Sequence, residues 1–389
     1  MVAATPIAVP AMPELRGLRW ARSAERPFPF DAGSPERVFT AGGRTAIFQG
    51  LTRLGIGEGE VVLVPAYCCG SEVDAVLRTG AVARYYRLTA DLVPDLDHCR
   101  ALAAEGARAM LVTHYLGFPQ PIAAIAAFAR AHDLWLIEDC AHALFAGADG
   151  RPVGRSGDLA VFSFVKTLPL PDGGAAVFNR RPTTPAPRLR SPSLRKVAGR
   201  AAFLAEMGLG RTRPALARTV ADARAAVHRL RAAKPAAAAG PLDREAQMRV
   251  LELAPSHRRL AMSGLSRWLV GRLPLAEMSA RRRRNYVGLR ERLDGLRGVH
   301  PLFADLPEGA VPMGFALKVA DVAGLQRRLA ARGIGTKAFW TYFHREFPDA
   351  AFPAEAKLKR SVLLLPVHQD IDAADLDRIA EALRAEREP

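Results

Sequence analysis

The chain has 389 residues, 49% hydrophobic and 24% charged, with a formal charge of +16 at neutral pH. That composition excludes fibrous and wholly disordered classes and leaves room for a sizeable core, with a length that suits two domains. Its four cysteines, Cys68, Cys69, Cys99 and Cys140, show neither a CxxC pair nor Cys/His ligand spacing, so no metal and no disulfide framework is expected.

The opening residues, MVAATPIAVPAMPELRGLRW, lack a basic region leading into an unbroken apolar run, and no later segment holds about 18 uninterrupted apolar residues. No membrane span is expected, and the chain reads as cytoplasmic. From about residue 44 helical and strand-like segments alternate, as in an α/β domain with a mainly parallel sheet. TAIFQGLTRLG is a helix stopped at Gly55, VVLVP a short buried strand, SEVDAVLRTG a helix with a serine cap and a glycine stop, and VARYYRL a strand. ARAMLVTH is a strand, PIAAIAAFARAHD a helix with proline near its start, and LWLIED a strand ending in two acids. LAVFSF and AAVF follow as strands with no helix between them, which puts Lys166 on a loop at a strand end, where such folds build their sites.

Between Arg181 and Gly240 thirteen lysines and arginines face only Glu206 and Asp222. This Ala/Arg/Pro-rich stretch reads as an insertion over about 181–245, a pair of short helices and a linker. It lacks the interleaved aromatic residues of a single-strand binding surface, so nucleic acid is not the expected partner. Beyond it, MSGLSRWLVGRL and EMSARRRRNYVGLRERLDGL read as helices. A smaller α/β unit closes the chain: strand GFALKV, helix VAGLQRRLAARG, strand SVLLLP and a terminal helix from about Asp372.

The segment FSFVKTLPLPDGG sets one lysine, Lys166, in apolar, proline-broken surroundings. Such a lysine either snorkels to the surface or is an amine taken out of water for chemistry. Its context is ordered along the chain: GGRTAIF, then LWLIEDCAHA, then GDLAVFSF, Lys166 and DGG. In that order the motifs resemble the DegT/StrS type of sugar aminotransferase, from about Gly43 to Gly174 and again from about Met262 onward.

The resemblance implies the pyridoxal phosphate (PLP) dependent fold type I: a large domain with a mainly parallel central sheet, placed at 1–255, and a smaller C-terminal α/β domain at 256–389. It implies transfer of an amino group, from glutamate, to a keto-sugar that is nucleotide-linked. Lys166 would form the Schiff base with the cofactor and shuttle a proton, and Asp139 would keep the pyridine nitrogen protonated. His142 stands where the family commonly has glutamine beside the ring and its phenolic oxygen. Ser163 and the backbone of Arg44 and Thr45 would receive the phosphate, with the arginine adding charge.

Three features depart from the family pattern. Only Val165 separates FSF from the lysine, two residues fewer than usual, while the interval from Lys166 to Asp172, Gly173 and Gly174 is kept, which reads as a shortened loop. Cys69 stands where the family often stacks an aromatic ring on the cofactor, and Tyr67 nearby reads as core. The asparagine that family members lend to the partner subunit's phosphate is missing, and HRRLAMS offers His257, Arg258 or Arg259 instead, of which Arg259 is assigned that role in a homodimer. His368 reads as packing and His344 is left open. Two other readings are a noncatalytic or regulatory protein on the same fold and a PLP-dependent sugar dehydratase, the latter disfavoured because that branch replaces the lysine by histidine.

Overall fold

The computed structural model of the chain describes residues 9–14, 36–212, 219 and 244–386. Runs of Val, Leu, Ile and Ala between turn residues give seven strands of one sheet: β1 (Glu36–Thr40), β2 (Val61–Pro65), β3 (Val82–Tyr86), β4 (Ala107–Thr113), β5 (Trp135–Asp139), β6 (Leu159–Ser163) and β7 (Gly174–Phe178). Their order is β1-β7-β6-β5-β4-β2-β3. Pairing is parallel throughout except that β7 runs antiparallel to both of its neighbours. Strands β5, β6 and β7 are buried along their whole length, as expected of a sheet covered on both faces.

The covering helices are α1 (Gly43–Arg53), α2 (Ser71–Leu77), α3 (Leu96–Ala104) and α4 (Ile122–Ala131). Leu51, Val62, Leu111 and Val161 share one core cluster, while Ile125, Phe128, Met110 and Leu136 share another. Each such side chain contributes about 1.5–3 kcal/mol by leaving water. Of the expected elements, α2 begins differently: Gly70 is the cap residue and Ser71 is already helical, while the Glu72 carboxylate accepts the Cys69 N–H at 3.0 Å. Helix α3 and strand β1 were not foreseen. Asp95 caps α3 by accepting from the N–H groups of Asp97 and His98.

Within the basic stretch, α5 (Leu194–Thr212) runs for 19 residues, longer than the short helix expected, and α6 is Arg244–Leu251. The rest of that insertion, 213–218 and 220–243, lies outside the described residues. Helices α7 (Gly264–Val270) and α8 (Leu275–Leu293) lead to a four-stranded antiparallel sheet. Its strands β8 (His300–Pro301), β9 (Phe315–Lys318), β10 (Lys337–Ala338) and β11 (Val362–Leu365) take the order β8-β9-β11-β10. Helices α9 (Val322–Ala331), α10 (Pro353–Lys359) and α11 (Ala373–Ala385) complete this part. Tyr286 and Leu289 of α8 join Phe315, Leu363 and Ile379 in its core.

Arg282 of α8 ties the two sheets together. It is 1% exposed, and its guanidinium donates to the carbonyls of Thr167 (3.0 Å), Pro312 (3.3 Å) and Met313 (3.2 Å) and to Gln369 Oε1 (2.9 Å). No described helix is long and apolar enough to cross a membrane.

Candidate active site

The strand ends of the large sheet and the edge of the small one enclose a cavity of about 520 Å³, a size suited to a small-molecule site. Its first wall follows from the glycines of the DGG motif. Thr40 pairs with Gly174, and a Cβ at Gly174 would lie 2.6 Å from the Phe162 carbonyl oxygen and 2.7 Å from the Gly42 carbonyl carbon. Only glycine lets the turn before α1 sit this close. The α1 terminus thereby faces Ser163, whose Cβ would be 3.1 Å from a Cβ on Gly43. Helix geometry leaves the first N–H groups of α1 without intrahelical partners.

Strand β5 delivers two acids in opposite settings. Glu138 is fully buried and accepts from the N–H groups of Gly154 (2.9 Å), Ser156 (2.8 Å) and Gly157 (2.6 Å) and from His114 Nε2 (3.0 Å). Burial alone would raise its pKa, but His114 and those donors outweigh it and hold the carboxyl below the usual range. Asp139 lines the cavity and accepts from Ala141 N–H at 2.9 Å. Burial pushes its carboxyl up to about 6, against the opposing pull of Lys166.

Lys166 reaches the cavity because a 3₁₀ turn, Phe164–Lys166, follows β6 directly and takes up the shortened loop. Its Nζ lies 2.8 Å from His142 Nε2. Burial, then the charges of Lys166 and Lys337, hold the imidazole well below the usual histidine range. With the ammonium as donor, Nε2 accepts and the ring proton sits on Nδ1, a buried atom with no partner among the described residues. The loop's far end is fixed by Asp172, whose carboxylate accepts from Ser263 N–H (3.1 Å) and Oγ (2.9 Å).

Arg44, Thr45, Cys69, Asp139, His142, Ser163 and Lys166 thus line one cavity. The Arg44 side chain also reaches α6: its Nη1 donates to the carbonyls of Val250 (2.7 Å), Leu251 (2.9 Å) and Glu252 (3.2 Å). The Thr45 hydroxyl likewise donates to His257 O at 3.1 Å. Arg259 is exposed and does not line this chain's cavity. Tyr67 is fully buried with its hydroxyl on Phe339 O (2.9 Å), and His368 is held by Pro10 O (2.9 Å). His344 is buried behind the cavity, 3.9 Å from Asp74.

Sequence reasoning missed the wall contributed from afar: Lys196 and Val197 of α5, Lys337 of β10, and Phe339, Trp340 and Tyr342 after it. Trp340 lies 5.2 Å from the His142 ring, centroid to centroid. The one available signal was the RGIGTKAFW stretch. The residues present fit PLP on three structural grounds. A buried carboxyl at Asp139 lacks a full cationic partner, a helix terminus and hydroxyl form an oxyanion cradle at Gly43 and Ser163, and a lysine amine lines the same cavity.

The model of the DegT/DnrJ/EryC1/StrS aminotransferase family matches residues 24–212 and 271–384. A UDP-N-acetyl-3-dehydro-α-D-glucosamine 3-aminotransferase of Acidithiobacillus ferrooxidans is 33% identical over 156 residues, 38% of this chain. A dTDP-4-dehydro-2,3,6-trideoxy-D-glucose 4-aminotransferase of Saccharopolyspora spinosa is 34% identical over 158 residues, 39% of this chain. The match spans 41% of the length of each of these two relatives. S. venezuelae DesV, solved in complex with a ketimine intermediate, shares the fold with a TM-score of 0.63 at 22% identity, over 92% of this chain and 86% of that one. Since the family's model takes in most of the sequence and both sheets with their cavity follow that fold, the chain belongs to the DegT/DnrJ/EryC1/StrS aminotransferase family.

Proposed function

We propose that the chain is a PLP-dependent aminotransferase that moves an amino group from glutamate to a nucleotide-linked keto-sugar. The observation that carries this reading is the meeting of Lys166, His142 and Asp139 in one cavity. The activities of the curated relatives, amination of UDP- and dTDP-linked keto-sugars, support the acceptor class. Four free thiols support a reducing, cytoplasmic setting.

When bound, the cofactor supplies the electron sink for cleavage at the amino-bearing carbon. Lys166 Nζ would hold it covalently and would carry a proton at the substrate carbon. Asp139 would keep the ring nitrogen protonated and gain a cationic partner for its buried carboxylate. Ser163 and the first N–H groups of α1 hold the phosphate. His142 keeps the Lys166 amine oriented through Nε2.

Glutamate offered with a panel of keto-sugar nucleotides should yield 2-oxoglutarate and an amino sugar, read by product analysis. No product from any acceptor would sink the proposal. Lys166→Ala should lower turnover by at least about 10³-fold, since both covalent attachment and proton transfer are lost. Retained turnover would refute the assigned mechanism.

We also propose that two copies complete each other's sites. Arg259 is exposed and outside its own cavity, while His257 and Leu260 beside it are part of the wall, which supports a reach toward a second copy. Mixed dimers of Lys166→Ala and Arg259→Ala chains should recover part of the activity. Verified heterodimers without recovery would return Arg259 to the solvated surface.

A further inference from the structure

Most of the charged side chains around the cavity are already engaged among the described residues. Glu72 accepts from Cys69 and Ser71, Asp139 from Ala141, Asp172 from Ser263, and Glu252 pairs with Arg78 at 3.0 Å. Arg44 Nη1 is turned to three carbonyls and Lys166 to His142. Lys337 has neither a hydrogen bond nor an ion pair among the described residues.

Lys337 stands on β10, paired with Leu364 of β11, so the small sheet fixes its backbone while its side chain lines the cavity. Water reaches the residue, yet the surrounding protein and, next, the Lys166 charge keep its ammonium below the usual lysine range. Two like charges facing one cavity repel, and Asp139 acts on Lys166 rather than on Lys337. The two free lysines of the wall also differ in position. Lys196 of α5 acts electrostatically on His257, which Arg44 also affects, whereas Lys337 acts on His142 beside Lys166. Lys196 therefore belongs with the α1 terminus and Lys337 with the reacting amine.

We infer that Lys337 receives an anionic oxygen group of the substrate at the reacting end of the cavity, either the carboxylate of the amino donor or a phosphate of the nucleotide-linked acceptor. The inference rests on the aminotransferase reading of this cavity. A single ammonium on a fixed strand gives an oxyanion a charge-assisted hydrogen bond without rearrangement. Binding also relieves the repulsion between Lys337 and Lys166.

The test is equilibrium binding to the cofactor-loaded protein, with 2-oxoglutarate and uridine diphosphate as separate calorimetric probes. Lys337→Gln should weaken one of them by about tenfold or more, the loss of one charge-assisted bond. Lys337→Arg should keep most of that affinity, a rescue that a structural role would not give. Weakened 2-oxoglutarate assigns the residue to the donor, and weakened uridine diphosphate to the acceptor. Unchanged affinity for both overturns the inference, as does a Lys337→Gln protein that loses its visible cofactor absorbance. Should Lys337→Gln misfold, Lys337→Met is read in the same way. Neither probe needs turnover: wild-type protein that binds them but makes no amino sugar sinks the functional proposal and leaves this one standing, whereas wild-type protein that binds neither overturns this one.

Discussion

Glu138 and Asp139 are neighbours on one strand, both buried, and they differ in almost every electrostatic respect. Glu138 faces away from the cavity and collects four donors; Asp139 faces into it and has one backbone N–H. The first carboxyl is held below its usual range and the second is pushed up to about 6. A carboxylate that has its donors is finished as structure, whereas one left short of partners is prepared for a ligand that brings a cation. Two adjacent acids therefore separate architecture from chemistry within one residue step.

The comparison breaks most visibly if the roles are exchanged by mutation. Glu138→Gln replaces an oxygen with a donor amide facing N–H groups and should cost about 3–5 kcal/mol of stability. Chemical denaturation measures this, and a small loss would mean that Glu138 is not the anchor described. Asp139→Asn should leave the fold intact and lower transamination on the order of 10²-fold, the kinetic equivalent of losing a buried charge partner. Steady-state kinetics beside the visible spectrum would show turnover falling far more than cofactor content. Equal turnover would make Asp139 structural as well.

The smallest effect carries an inverted sign. Without cofactor, Asp139 has a folded pKa of about 6 against 3.8 for the free group. Between those values the folded state holds a proton that the unfolded state has released, so stability falls as pH rises through the window. The cofactor-free Asp139→Asn protein should therefore be more stable than wild type at neutral pH by roughly 2–3 kcal/mol, with the advantage gone below about pH 4. Glu138 works the other way: its contribution is present above the unfolded pKa and disappears on acidification. Thermal melts of the cofactor-free proteins across pH would expose both slopes, and a pH-independent difference would contradict the burial assigned to Asp139.

Legibility in the sequence tracked distance along the chain. Asp139, His142, Ser163 and Lys166 fall within 28 residues and sit at strand ends, so strand patterning and motif order were enough to bring them together. The shortened loop was legible too, though only the 3₁₀ turn explains how the amine still reaches the cavity. The contacts of Arg44 were not legible, because sequence cannot show a guanidinium meeting carbonyls some two hundred residues away. Lys337 and Trp340 were overlooked for the same reason: a charge between threonine and alanine looks like surface until another sheet edge is folded over it. Helix α3 was missed because LDHCRALAA has a weak apolar stripe, with Cys99 its one buried side chain.

The buried guanidinium of Arg282 has a mechanical consequence. By gripping Thr167, one residue from the reactive lysine, together with Pro312, Met313 and Gln369, it leaves those backbone segments no independent way to loosen. Local opening of the lysine loop would strand unpaired donors in a dry interior, at about 1–3 kcal/mol for each bond broken. Amides of the lysine loop and of the 312–313 turn should therefore exchange with solvent in a single cooperative event, so that the floor of the cavity and the base of the smaller sheet breathe together or not at all.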